Sequence, residues 1–504
     1  MISLILKQMF MRSGALIVVK AIGFFIRIPL FRILGAEGMG LYQMSYAAYG
    51  LVLTLFSGGV PTAVAILTAN RSLTARFFHT LAIFSSILGI LAGVLFYTFS
   101  PVIATLLGNS KLTLPLQCLA PAIVLVPLLS LIRGYLQGLD YVGIISTSEV
   151  IEQIIRSVVL LWLITTLASY SIEASVAGAN IGAVAGAGFS LLFVVICLYR
   201  LSDVQMPRFR RRRPFPQPQT SHPVRLFFHT ALAITCTRLI FPFSDFLDAI
   251  IIPHRLQDAG FFSSQAIALY GEMSGMAVTI AYLPTLFTAA ISHVLTAKFS
   301  ADWKSKKIFR FWTRINLAIQ ISIVWGISSS LIMYLYAPDF SWLMLGNGEI
   351  SHAIRYLAIA PFVCGVREIL TTIHWSTGNH KQPLWGLILA VILSVIAHYT
   401  LIPLPGFAAI GIAIGILMID FIGLCWNSRP FIWLTTAKML WEWTQKVWWS
   451  VIIVLANYFL ITLVFPEVNE TQYTIRLIKI FLAFLVVLLF LFFNLLRGRL
   501  SLIK

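Results

Sequence analysis

Apolar runs about twenty residues long follow one another through the whole chain, separated by short polar breaks. A membrane-crossing helix needs about 20 such residues. A window of that length finds fourteen of them, at 11–33, 40–68, 79–99, 114–136, 143–167, 175–199, 226–252, 266–296, 311–337, 351–377, 383–402, 407–427, 446–465 and 472–496. The runs are continuous, without the alternation over about ten residues that marks a membrane β-barrel. The pattern predicts an all-α polytopic membrane protein, with residues 1–10 lying at the interface.

Composition agrees. Hydrophobic residues make up 59% of the chain and charged ones 11%, and the mean hydropathy is +0.90. A soluble domain carries about 25% charged residues, so no soluble core of this length hides so much apolar surface. The formal net charge of +18 changes the picture less than its size suggests, because most cations sit in short loops. Arg71 and Arg76 follow segment two. Arg200, Arg208, Arg210 to Arg213 and Arg225 follow segment six, and Lys298, Lys304, Lys306, Lys307 and Arg310 follow segment eight. Lys381, then Arg429, Lys438 and Lys446, and finally Arg497, Arg499 and Lys504 complete the series. Every even-numbered loop is the basic one, which predicts a multi-pass protein of the cell membrane with both termini in the cytoplasm. This accounts for the charge without nucleic acid. No cleavable leader is evident, so the first segment is expected to serve as an uncleaved insertion signal. Cys118, Cys197, Cys236, Cys364 and Cys425 form no CxxC pair and read as small core residues, neither disulfides nor metal ligands.

Internal similarity divides the chain. Leu41-Tyr42 opens segment two as Leu269-Tyr270 opens segment eight. Ala120-Pro121 with Gly138 matches Ala360-Pro361 with Gly378 at the same separation. The expected organisation is an N-terminal lobe of six helices (1–199), a basic proline-rich cytoplasmic linker (200–225), a C-terminal lobe of six (226–427), and a tail (428–504). The tail holds Trp433, Trp441, Trp443, Trp448 and Trp449 in an interfacial stretch before the last two helices. The linker is a topology anchor, with anionic lipid headgroups as a second reading.

Ionisable residues inside apolar segments are the candidate chemistry, since a central arginine costs about 2.5–3.5 kcal/mol on insertion scales. In segment one, Lys20 and Arg27 share a stripe, Pro29 follows, and Arg32 lies towards the outer end. They line a wall for an anionic substrate, or Arg27 pairs with a neighbouring carboxylate. Gly35, Gly38 and Gly40 form a hinge after it. Segment two is broken by Ser57-Gly58-Gly59-Val60-Pro61, so Gly58, Gly59 and Pro61 mark a second hinge. Glu149, Glu152 and Arg156 make a self-compensating polar face on segment five. Arg238, Asp245 and Asp248 share one side of segment seven, with Arg238 a second candidate for the anion. Asp245, Asp248, and the lone acids Glu272 and Asp420 are candidate coupling sites for H+ or Na+. His293, His374 and His398 read either as cavity-facing or as packing residues. No GxSxG, HExxH, Walker A motif or loop DxD occurs, so no enzymatic activity and no cofactor are expected.

Four stretches resemble a known family: FIRIPLFRILGAEGMGLYQMSYAAYGLVLTLFSGGVPTAVA, RGYLQGLDYVG from Arg133, DAIIIPHRLQDAG from Asp248, and STGNHKQP from Ser376. They are similar to the polysaccharide transporters of the stage V sporulation protein B type. These belong to the multidrug/oligosaccharidyl-lipid/polysaccharide exporter superfamily, which also holds the MurJ-type lipid II flippases. The resemblance implies two pseudo-symmetric six-helix lobes plus two helices, working by alternating access around a cationic cavity. It implies an undecaprenyl-diphosphate-linked wall precursor as cargo, a part in spore cortex peptidoglycan, and a forespore-associated membrane. It also implies Arg27, with Arg32, as the diphosphate contact, and a lipid-tail groove on the last two helices. Those flippases carry an arginine in helix eight, whereas segment eight here offers Glu272 and His293. Two other readings stand beside this one. One is a cation-coupled small-molecule exporter, and the other a non-transporting scaffold for cell-wall synthesis proteins.

Overall fold

A computed structural model of the chain describes residues 12, 14, 15, 18–70, 72–209, 223–432, 437–465 and 473–501. Parts of the sequence reading that fall on residues 1–11, 210–222, 433–436 and 466–472 lie outside them, including the interfacial N-terminus, most of the linker and Trp433. The described residues are helical almost throughout. They form two compact units, one of Met1–Pro253 with Ser263–Ala268, the other of His254–Phe262 with Leu269–Lys504.

In the first unit the helices run α1 (Arg27–Ser57), α2 (Val60–Ala69), α3 (Ala75–Thr98), α4 (Ser100–Leu106), α5 (Thr113–Gly138), α6 (Val142–Leu167), α7 (Ile172–Phe209), α8 (Pro223–Arg238) and α9 (Ile240–Asp258). α10 (Ser263–Tyr270) and a π-helical stretch (Gly271–Ala277) lead into α11 (Val278–Ala281) and α12 (Thr285–Lys304). Then follow α13 (Ile308–Leu335), α14 (Ala337–Leu345), α15 (Ser351–Tyr356), α16 (Ala360–Ser376), α17 (Lys381–Leu401), α18 (Ala408–Ile432), α19 (Ala437–Val464) and α20 (Tyr473–Ser501).

Among the described residues ten helices are long and apolar enough to cross a membrane, or up to twelve when the bent pairs α8–α9 (41°) and α10–α12 (55°) each count as one. The other two of the fourteen sequence segments are also helical over their described residues. The first joins the second at Gly35, whose φ of 63° breaks the helix inside α1, a conformation open chiefly to glycine. The tenth is carried by α16, only 17 residues long because α15 and α16 are separated before Pro361. Gly38 and Gly40 are ordinary helix residues. Only Gly35 of the expected glycine hinge turns the chain.

Packing uses small residues, as it must where lipid competes equally well for apolar surface. α7 presents Gly178, Gly182 and Gly186 to α6. A β-carbon on Gly182 would lie 2.8 Å from the Arg156 carbonyl oxygen, and one on Gly186 2.7 Å from that of Glu152. Ala63, Leu67, Leu129, Leu136, Val194 and Phe227 fill a core in the first unit. Phe299, Phe311, Ile315, Ile369 and Leu370 fill one in the second.

Residues 200–209, placed in the linker by the sequence, are helical and continue α7 to Phe209. One expectation is corrected. Of the cysteines only Cys364 is buried, and Cys236 and Cys425 are exposed, because a thiol suits a lipid-facing helix surface as well as a core. Pro121 sits inside α5, whereas Pro361 lies in the first turn of α16.

Candidate functional site

The polar residues of the first unit gather around α6. Glu152 is bridged by two arginines, Arg156 one turn along the same helix at 2.6 Å and Arg133 of α5 at 2.9 Å. Arg133 also donates to the hydroxyls of Ser148 (2.9 Å) and Ser190 (2.8 Å). One guanidinium thus ties α5, α6 and α7. Glu149, one turn before Glu152, has a buried carboxylate oxygen with no hydrogen-bond partner among the described residues. On α1, Tyr42, Tyr46 and Tyr49 share a face, with ring centroids 4.6 and 5.8 Å apart in succession. Arg27 acts electrostatically on Tyr42 and Tyr46, and Arg156 on all three tyrosines. Lys20, Arg27 and Arg32 are all exposed. Asn180 of α7 closes the layer by donating to Ser45 Oγ (3.1 Å) and the Pro115 carbonyl (2.9 Å).

A second feature of this unit is the break between α1 and α2. Pro61 has no N–H to give the Ser57 carbonyl, and its ring opposes a continuous helix. Gly58 and Gly59 pass through the gap. A β-carbon on Gly59 would lie 1.9 Å from the Ala231 carbonyl oxygen of α8, so the two backbones touch here. The Gly58 carbonyl, left past the helix end, accepts from Arg238 Nη1 at 2.7 Å, and Arg238 Nη2 reaches Thr62 Oγ1 at 3.2 Å. Asp245, exposed, and Asp248 stand on α9 beyond it and act electrostatically on each other.

In the second unit Asp420 of α18 is not a lone acid. Arg367 Nε of α16 donates to one oxygen at 2.7 Å and the Tyr282 hydroxyl to the other at 2.6 Å. Glu272 lies on the π-helical stretch and makes no hydrogen bond or ion pair among the described residues. His374 and His398 are buried against the carbonyls of Asn427 (3.0 Å) and Ile412 (3.2 Å), as packing histidines, while His293 is exposed. Arg133 and Arg367 were not singled out from the sequence. Each is a cation inside an apolar segment, the same signal that drew attention to Arg27.

Together these features define a polytopic α-helical membrane protein with networks of paired charges inside each unit and further cations exposed near its N-terminus. The chain belongs to the polysaccharide biosynthesis protein family, whose profile matches residues 5–264. It is 29% identical over 369 residues to stage V sporulation protein B of Bacillus subtilis (strain 168), across 71% of this chain and 70% of that one. It is 27% identical over 214 residues to the lipid II flippase MurJ of the same organism, 39% of each chain. Its fold is similar to a lipid II flippase MurJ in an inward closed conformation, with a TM-score of 0.68, 17% identity, and coverage of 98% of this chain and 99% of that chain.

Proposed function

We propose that this chain is a flippase that carries a lipid-linked, diphosphate-bearing cell-wall precursor outward across the membrane by alternating access, with Arg27 as the principal contact for the anionic headgroup. The observation that carries the reading is Arg27 itself, an exposed guanidinium on a membrane-crossing helix beside a tyrosine face. Guanidinium–phosphate hydrogen bonds are charge-assisted and frequently bidentate. Lys20 and Arg32 extend the cationic stripe, and Arg238 adds a second guanidinium. The likeness to stage V sporulation protein B and to a lipid II flippase supports a wall-precursor cargo and a place in spore cortex synthesis. An inside-negative potential helps export of net negative charge by about 2.3 kcal/mol per charge per 100 mV. Both termini then lie in the cytoplasm, as the loop charges indicate.

The test is reconstitution in liposomes with fluorescent lipid II. Wild type is expected to translocate it, and Arg27→Ala to lose translocation while still inserting into membranes. Normal translocation by Arg27→Ala overturns the assignment. A cation-coupled exporter of small cationic molecules is the second reading. It is favoured by Asp245 and Glu272, neither of which makes a hydrogen bond or ion pair among the described residues. Export of a cationic dye driven by a proton or sodium gradient, lost in Glu272→Gln, supports that reading instead.

A further inference from the structure

We propose that Arg238 is a latch opened by cargo, exchanging the Gly58 carbonyl for phosphate oxygens and so freeing the break between α1 and α2. This rests on the diphosphate cargo of the preceding reading and adds how binding is coupled to movement.

Arg238 is the last residue of α8, at the 41° bend into α9. It therefore occupies one break in a membrane-crossing helix while its side chain holds another. Its two acceptors are the Gly58 carbonyl and the Thr62 hydroxyl, on either side of Pro61. Both are neutral, and no carboxylate pairs with Arg238 among the described residues. The guanidinium is also exposed, so an incoming anion can reach it without unpacking a core.

The exchange is chemically favourable. A guanidinium bound to neutral oxygens gains strength on moving to a phosphate, roughly doubling each hydrogen bond and matching two donors to two oxygens. What it leaves behind is a helix-end carbonyl, in a segment where Pro61 has already removed one backbone bond and two glycines resist nothing. Gly59 lies against the α8 backbone at Ala231, so without Arg238 that contact is steric only. Release of the side chain thus loosens residues 57–62 while the helices on either side stay intact. Asp245 and Asp248, further along α9, repel the same anion and leave Arg238 as the attractive group of this face.

The experiment is hydrogen exchange of the backbone amides at residues 57–62 in the full-length protein in lipid nanodiscs. It is run alone and with undecaprenyl diphosphate, undecaprenol, or inorganic pyrophosphate, with binding of each ligand measured separately. The expected result is about a fivefold rise in exchange with undecaprenyl diphosphate, the factor for losing one exposed hydrogen bond of about 1 kcal/mol, and none with undecaprenol. A rise with pyrophosphate alone identifies the phosphate chemistry as sufficient, and its absence with a rise for the lipid shows that the chain is needed to deliver it. Arg238→Gln is expected to exchange fast without ligand and to change no further. Thr62→Val, which keeps Arg238 and removes one acceptor, is expected to fall between. Binding of undecaprenyl diphosphate with unchanged exchange at 57–62 overturns the latch and leaves the cargo standing. No binding of the diphosphate lipid overturns both.

Discussion

Replacing Gly59 by alanine separates α2 from α8 at one defined point. The added β-carbon would lie 1.9 Å from the Ala231 carbonyl oxygen, 2.7 Å from its carbon and 2.8 Å from its Cα. All three are backbone atoms, so no side chain can rotate away. Since such contacts essentially never fall below 3.0 Å, the helices must part by about 1.1 Å. Overpacking of this kind costs about 1–3 kcal/mol. The same displacement stretches the Arg238–Gly58 bond from 2.7 Å beyond hydrogen-bond range. Because Arg238 is exposed, that loss adds only about 1 kcal/mol. The total of about 2–4 kcal/mol predicts an apparent melting temperature roughly 2–4 °C lower for a chain of this length, measured at fixed scan rate in one detergent because unfolding there is irreversible. Gly50→Ala is the control. It sits in α1 with nothing within 4 Å of the new β-carbon, and gains up to about 1 kcal/mol of helix propensity. Equal melting temperatures for the two variants would falsify the close approach of α2 and α8.

Arg133→Met leaves Glu152 with Arg156 alone and strips the donor from Ser148 and Ser190. We expect about 3–5 kcal/mol of destabilisation, with Arg133→Met/Glu152→Gln less affected than the single variant in a thermal melt. Asp420→Asn leaves the half-buried Arg367 without its carboxylate and should cost about 2–3 kcal/mol, whereas Tyr282→Phe should cost about 1–2 kcal/mol. Gly182→Leu should prevent α6 and α7 from meeting, read as loss of monodisperse protein on gel filtration. Arg27→Lys should retain part of the lipid II translocation that Arg27→Ala loses, because a lysine keeps the charge without the planar pair of donors.

The fourteen helical segments were legible because bilayer thickness imposes a length on each apolar run, whatever it packs against. The break at Ser57 to Pro61 was legible for the same kind of reason, since proline and glycine act through their own backbone. Partnerships were not. Periodicity places Glu152 and Arg156 on one face, but nothing in it brings Arg133 from another helix to the same carboxylate. Asp420 looked solitary because Arg367 and Tyr282 are 53 and 138 positions away in sequence. Exposure misled in the case of Cys236 and Cys425, because hydropathy cannot separate a surface that meets lipid from one that meets protein. The turn at Gly35 was expected of three glycines alike. Only backbone geometry selects the one that adopts positive φ, and Gly40, by contrast, admits the Ile267 carbonyl to within 2.2 Å of its missing β-carbon.

The chemistry of the two helix breaks separates their roles. Residues 266–296 break near Pro284, as residues 40–68 break near Pro61, and in each unit a side chain from another helix donates to a carbonyl at the break. At Pro284 the donor is the indole N–H of Trp325, 2.9 Å from the carbonyl and buried against the ring of Phe287. An indole carries no charge, and one buried among rings has no path to an anion, so this cap has nothing to exchange for. At Gly58 the donor is a charged, exposed guanidinium, for which phosphate is the better acceptor. Anionic cargo should therefore loosen amides 57–62 and leave 282–287 unchanged in the same hydrogen-exchange experiment. Trp325→Phe should raise exchange at 282–287 with or without ligand, because its loss removes a fixed bond. If undecaprenyl diphosphate loosens both breaks equally, the charge on Arg238 is not what couples cargo to movement, and a rearrangement of the whole bundle must be.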